Sequence, residues 1–189
     1  KYNGKFVGTF GDVSGFSLNY HKHIHTGEGG IILTNNKKIY EKLLMIRNHG
    51  EVIQNSNNKK LLSNNIGYNF RLGEIESALG IEQLKKLNHY VKFRQKNFKI
   101  IYKRLSNLNG LILPKFDKKK IQPSHYVIPL RLSDKVLLKY SRKTIVKKLR
   151  LEGVPGLAEG YMNLHKFSVY RNKIAFGSKG YPWKIFDKK

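Results

Sequence analysis

The chain has 189 residues, 40% of them hydrophobic, with 37 Lys and Arg against 12 Asp and Glu, a formal net charge of +25 and no cysteine. That length holds one ordinary domain or two small ones, and the apolar content suffices for a core, so wholesale disorder is excluded; so are disulfides and thiolate chemistry. No apolar run approaches membrane-spanning length and the first residues carry no signal-peptide pattern, so a soluble cytoplasmic protein is expected.

The basic excess normally points to a polyanion, nucleic acid first. Here, however, the lysines are spread along the chain and accompany abundant Asn, Ile and Tyr. Those residues share AT-rich codons, so the charge is largely compositional. It supports an anion-binding function only weakly.

In chain order, Phe16, Leu18 and Tyr20 alternate as in a strand that ends just before Lys22. The lysine is flanked by His21, His23 and His25 and is followed by the turn Thr26-Gly27-Glu28-Gly29-Gly30. Glycines there let the backbone reach angles closed to other residues and bring a ligand close. An amine crowded by imidazoles beside such a turn is a candidate nucleophile; a solvated loop lysine fits the same spacing. Ile31, Ile32 and Leu33 read as the second strand of a hairpin-like pair. Asn35 is the expected cap of a helix carrying Ile39, Leu43, Leu44 and Ile46, closed by His49 and Gly50. Residues 51–65 are polar and Asn-rich without periodicity, as in a mobile surface loop.

The longest periodic stretch follows. Leu72, Ile75, Leu79, Leu84, Leu87, Val91, Phe98, Ile101 and Leu105 predict one broken or bent helix that ends before Asn109 and Gly110. Residues 111–113 and 125–132 are strand candidates, separated by a lysine-rich loop between Pro114 and Pro123. Ser141 is placed to cap a helix with Ile145, Val146 and Leu149 on one face, stopped by Gly153. Beyond Pro155 no clear element is predicted.

Residues 16–30, FSLNYHKHIHTGEGG, resemble the lysine segment of the DegT/DnrJ/EryC1/StrS family of pyridoxal-phosphate (PLP) aminotransferases, which aminate keto-sugars attached to nucleotides. The family reads roughly F-S-x-x-x-x-K, a short spacer, then T-G-E-G-G. The likeness continues through Arg47-Asn48-His49-Gly50, through Ile66-Gly67-Tyr68-Asn69-Phe70-Arg71-Leu72, and through Glu74-Ile75 and Ala78-Leu79-Gly80. Tyr2, Gly4-Lys5, Gly8-Thr9 and Gly11-Asp12 match the approach to the lysine strand, and Gly180-Tyr181-Pro182 resembles a later G-[YF]-P segment. The blocks cover nearly the whole chain, thinning after Asn88.

The resemblance implies an α/β architecture, the PLP-dependent transferase fold type I (aspartate aminotransferase-like). Residues 1–88 would be the C-terminal part of the large domain and 89–189 a small, truncated α+β domain. The chain is therefore expected to be a fragment that starts after the aspartate pairing with the pyridine nitrogen of PLP, and alone to bind PLP weakly and not transaminate. Lys22 would form the Schiff base with PLP. Ser17 would hydrogen-bond the cofactor phosphate, although a strand serine bonded to backbone fits equally. Lys22 and Ser17 would then open toward one concavity. Asn69 would reach the phosphate of the neighbouring subunit's cofactor, or else be a turn residue. The implied reaction moves an amino group from glutamate or glutamine to a nucleotide-sugar, in a homodimer.

Other residues stay open. His21, His23 and His25 would share one face of an extended strand, but no carboxylate or cysteine cluster accompanies them, and no metal is assigned. Glu28 would order the loop or face the substrate amine. Arg47, His49 and Arg71 would meet substrate phosphates or stabilise the fold. A PLP-dependent sugar dehydratase of the same family, with histidine in place of the lysine, is the near rival; T-G-E-G-G at its expected distance keeps Lys22 in register. A basic nucleic-acid-binding module is the distant rival. It predicts salt-dependent binding to any duplex, but the chain has no recognised nucleic-acid motif, and no specific nucleic-acid or membrane partner is expected.

Overall fold

Antiparallel pairing of β1 (Val13–Ser17) with β2 (Gly30–Thr34) sets Val13 opposite Thr34 and Ser17 opposite Gly30, the hairpin-like pair that the apolar alternation predicts. The strand is shorter than expected. It stops at Ser17, and Leu18 and Tyr20 belong to the connection rather than to the sheet. The computed structural model describes residues 1–51 and 66–185, so residues 52–65 of the expected surface loop lie outside the described residues. The chain divides into two compact units, Lys1–Arg131 and Leu132–Lys189.

In the first unit, α1 (Lys37–Arg47) starts at Asn36, one residue after the expected cap. The Asn36 side chain accepts hydrogen bonds from the amides of Lys38 (2.9 Å) and Ile39 (3.2 Å), satisfying two of the donors that a helix start leaves unpaired. Met45 is the buried residue of this helix. The chain leaves it through His49 (φ 56°) and Gly50 (φ 82°), with the Gly50 amide returning to the Met45 carbonyl at 2.8 Å. Residues 68–70 then run back along the exit. The His49 amide bonds the Tyr68 carbonyl (2.9 Å) and the Phe70 amide bonds the Arg47 carbonyl (3.0 Å).

The long helix α2 (Glu74–Leu105) is continuous over 32 residues, so the break allowed by the sequence pattern does not occur. At 1.5 Å per residue it extends about 48 Å. Asn88 lies inside it, so the family-derived division at 88 falls within an unbroken helix. Phe98 is its buried residue. Gly80 lets the loop between β1 and β2 approach the helix: a Cβ at Gly80 would stand 3.1 Å from the Thr26 methyl, and Thr26 is itself buried.

After α2, β3 (Leu111–Ile112) forms as expected, but the strand expected over 125–132 contracts to β4 (Arg131–Leu132), at the junction of the two units. His125 has φ of 53°, a left-handed conformation incompatible with a strand. Pro123 and Pro129 remove amide donors on either side. Just before this segment, residues 120–122 pair with the start of the chain. The Asn3 amide bonds the Lys120 carbonyl (2.7 Å) and the Gln122 amide bonds the Lys1 carbonyl (2.9 Å).

In the second unit, α3 (Asp134–Leu137) precedes α4 (Arg142–Leu151). Ser141 caps α4 as expected, its Oγ accepting the Thr144 amide at 3.1 Å, and Val146 is the buried residue. Gly153 takes φ of 82° and its amide closes on the Arg150 carbonyl, the stop that its position implies. Beyond Pro155 the chain forms short helical turns where no element was expected: residues Leu164–Lys166, α5 (Ser168–Arg171) and Trp183–Ile185.

Candidate active site

Lys22 sits in the connection between β1 and β2, five residues beyond the last strand residue rather than at a strand end. Two backbone bonds shape that connection. The Leu18 amide reaches the Gly29 carbonyl (2.9 Å) and the Thr26 amide reaches the Leu18 carbonyl (3.0 Å), so residues 18 and 26–29 continue the hairpin irregularly and 19–25 bulge from it. Leu18, at 5% exposure, plugs the base of the bulge. Within it, the Lys22 amide turns back to the Asn19 carbonyl at 2.9 Å. The Asn19 side chain donates to Glu28 Oε1 at 2.5 Å, and Thr26 Oγ1 donates to the Glu28 carbonyl at 2.8 Å. Glu28 thus orders the loop, one of the two roles its position allowed.

The bulge forms one wall of a cleft of about 630 Å3, with α2 and residues 125–128 as the others. Lys22 faces it with His21, His23 and His25 from the loop, Arg94 and Phe98 from α2, and Tyr126. None of the described residues lining the cleft is acidic. Lys22 Nζ stands 3.3 Å from the Tyr126 hydroxyl and 4.4 Å from the centre of its ring. His21 and His23 approach the same ring, at 6.3 and 5.9 Å between centroids. The three histidines lie in a bend, so the shared strand face considered from their alternation does not form; among the described residues no group of three or more His, Cys, Asp or Glu could hold a metal ion.

The opposite wall is held by stacking. The His125 ring lies 3.7 Å from that of Phe98, nearly parallel at 13°, and Phe116 flanks both. Burial of His125 pushes its imidazole below the usual range, because a charged ring loses solvation there. The sign of the consequence is fixed. A depressed folded-state value means that the neutral ring's contribution to stability is fully present above the ordinary imidazole value of about 6.5. It is lost as pH falls through the folded value. Chemical unfolding followed between pH 7.5 and 5 is expected to show this loss, and His125→Phe to flatten it.

The other expected site residues lie elsewhere. Ser17 is exposed at the carboxyl end of β1, its Oγ accepting the Asn19 amide at 3.2 Å, and is not among the residues lining the Lys22 cleft. Asn69 is exposed and bridges Asn48 through its backbone. Arg71 donates to the Asn48 side chain and lines a second concavity with Glu28, Phe70 and Glu76. Tyr126 and Arg94 were not singled out by sequence reasoning. Tyr126 is 104 residues from Lys22, and no spacing rule joins them.

Comparison with known proteins places this geometry in a family. The profile of the DegT/DnrJ/EryC1/StrS aminotransferase family matches residues 1–182. An uncharacterised protein of Methanocaldococcus jannaschii is 32% identical over 96% of this chain and 48% of its own length. The UDP-4-amino-4,6-dideoxy-N-acetyl-beta-L-altrosamine transaminase of Helicobacter pylori is 31% identical over 90% of this chain and 44% of its own. The solved structure of Helicobacter pylori PseC, an aminotransferase involved in the biosynthesis of pseudoaminic acid, superposes with a TM-score of 0.78 at 27% identity, covering 95% of this chain and 47% of that one. The chain thus spans about half the length of the curated relatives it matches, and its architecture is that of the PLP-dependent fold type I enzymes. The matched residues take in the lysine-turn segment, the hairpin that carries it and the long helix behind it, and this chain belongs to the DegT/DnrJ/EryC1/StrS aminotransferase family.

Proposed function

We propose that the chain supplies the lysine and cleft of a PLP-dependent aminotransferase that moves an amino group from glutamate or glutamine to a nucleotide-linked keto-sugar. The observation that carries this reading is Lys22 Nζ facing a cleft in a loop ordered by Glu28 of T-G-E-G-G. The cleft fits PLP. Its volume of about 630 Å3 lies in the range of roughly 300–1,000 Å3 usual for small-molecule sites. Tyr126, Phe93 and Phe98 offer apolar walls to a ring, and Lys22 and Arg94 offer cations to an anion.

When bound, PLP supplies an electron sink for the carbanion that amino transfer requires. The chain's own contribution begins with the Lys22 amine, a nucleophile toward an aldehyde and a base able to carry a proton on Nζ. Arg94 and the imidazoles of His21 and His23 keep the lining cationic or neutral, which favours an anionic ligand over a cationic one. The Ser17 hydroxyl, which lies outside the cleft lining, is proposed as a phosphate donor on the family resemblance alone; its Oγ accepts the Asn19 amide, which leaves its proton available. Asn69 is proposed to serve the cofactor of a partner subunit. A homodimer, the cytoplasm and polysaccharide biosynthesis are the proposed setting, on the family resemblance. Among the described residues no helix is long and apolar enough to cross a membrane.

The test is covalent trapping. Incubated with PLP and reduced with borohydride, the chain is expected to carry the cofactor at Lys22 in preference to its many exposed lysines, with peptide mass spectrometry as the readout. Lys22→Ala is expected to remove that product and leave background labelling elsewhere unchanged. Labelling spread evenly over the lysines would sink the assignment and return the dehydratase reading, in which histidine takes the lysine's place.

A further inference from the structure

We propose that Tyr126 is a positioning residue for the Lys22 amine, an inference that rests on the reading of Lys22 as the lysine that carries PLP. The contact is double. The hydroxyl oxygen lies 3.3 Å from Nζ and can accept its proton, and the ring lies beneath Nζ at 4.4 Å. A free lysine head on four rotatable bonds samples many directions, and fixing a reacting group before the ligand arrives removes that search. An aromatic face with a hydroxyl at its edge suits this task, because it attracts an ammonium group and directs it without neutralising it.

Tyr126 is itself held on several sides. Arg94 Nη1 approaches the carbonyls of His125 and Tyr126, each at 3.4 Å. The Gln95 side chain donates to the Pro123 carbonyl at 2.9 Å. His125, the preceding residue, is stacked on Phe98. From the lysine loop, the His23 ring meets the Ser124 carbonyl at 3.0 Å and, with His21, flanks the phenol ring. The segment 123–126 is therefore fastened to α2 on one side and to the lysine loop on the other, so the phenol is a fixed reference for a mobile amine. The left-handed backbone at His125 sets this placement: it turns the chain so that successive residues 125 and 126 reach Phe98 and Lys22. A regular strand over the same residues would send those two side chains to opposite faces of a sheet.

The experiment uses the full chain labelled with 13C at the lysine ε carbon, the Lys22 signal being identified by its absence in Lys22→Arg. In the wild type the Lys22 ε protons are expected upfield of the exposed lysines, through the ring current of Tyr126. Tyr126→Phe, which keeps the ring, is expected to retain most of that shift and to raise the mobility of the Lys22 ε carbon. Tyr126→Leu is expected to return the signal to the exposed-lysine position. Borohydride trapping of PLP at Lys22 should then slow about tenfold in Tyr126→Leu, a modest instance of the penalty for misplacing a reacting group, and recover in part in Tyr126→Phe. A Lys22 signal unmoved by Tyr126→Leu, or equal trapping rates in all three proteins when the wild type does trap PLP at Lys22, would overturn the proposal. If Tyr126→Leu loses its dispersed amide spectrum, the Tyr126→Phe mobility and trapping rate decide alone, unchanged values overturning it. Should the shifts behave as expected while the wild type never traps PLP at Lys22, the cofactor reading falls and the Tyr126–Lys22 contact stands.

Discussion

Phe98→Ala is expected to destabilise the first unit by about 3–5 kcal/mol, the usual cost of removing a buried phenylalanine and leaving its cavity. Phe98 is 7% exposed and is one of only four buried hydrophobic residues among those described, with Leu18, Met45 and Val146. Its ring is shared by Tyr102 one turn further along α2, by Phe116 and by His125. Truncation leaves His125 without its closest stacking partner, and the left-handed turn at 125 then loses one of its anchors. Urea unfolding followed by far-ultraviolet circular dichroism, which reports α2, measures the cost. The same variant is expected to loosen the cleft, since Phe98 also lines it, so PLP trapping at Lys22 should fall even where the protein is still folded. A penalty below about 1 kcal/mol would mean that this aromatic cluster is not the core of the unit.

The elements that the sequence announced are those built from local signals. Ile39, Leu43 and Ile46 mark α1, and a polar cap with a glycine stop marks α4, because helix period and capping act within a few residues. The shift of the α1 cap from Asn35 to Asn36 reflects two adjacent asparagines with equal local claims. What was not legible depends on residues far apart. The apolar run around 125–132 suggests a strand by composition, but Phe98 from α2 captures the His125 ring and the backbone turns left-handed there. Leu18 and Tyr20 extend the strand pattern on paper. In the fold, Leu18 plugs a bulge and Tyr20 stands outside the sheet. Lys22 stands out by motif as a candidate, whereas the Tyr126 face against it depends on that same distant turn.

Gly67→Ala is expected to cost about 3 kcal/mol, the upper end of what a forced extra methyl usually costs, because nothing near it can yield. A Cβ at Gly67 would stand 1.9 Å from the Gly50 amide nitrogen and 2.4 Å from the His49 carbonyl carbon. Both are backbone atoms, and both are committed. The Gly50 amide closes α1 on Met45, and the His49 amide bonds Tyr68. His49 already occupies a positive φ, a narrow well for a residue with a side chain, so little relaxation is open to it. The strand-like residues 68–70 would have to lift away, breaking the Tyr68 and Phe70 amide bonds to the end of α1 and separating Asn69 from Asn48. Amide hydrogen exchange is therefore expected to accelerate at Tyr68 and Phe70 well before the rest of the unit responds. Gly15→Ala is the matched control. It has nothing within 4 Å of its would-be Cβ and should change stability by no more than about 0.5 kcal/mol, as for ordinary surface substitutions. Equal stability of the two variants would show that the 49–50 turn does not meet residue 67 as closely as the fold requires, and the backbone that presents Asn69 would have to be sought in another arrangement.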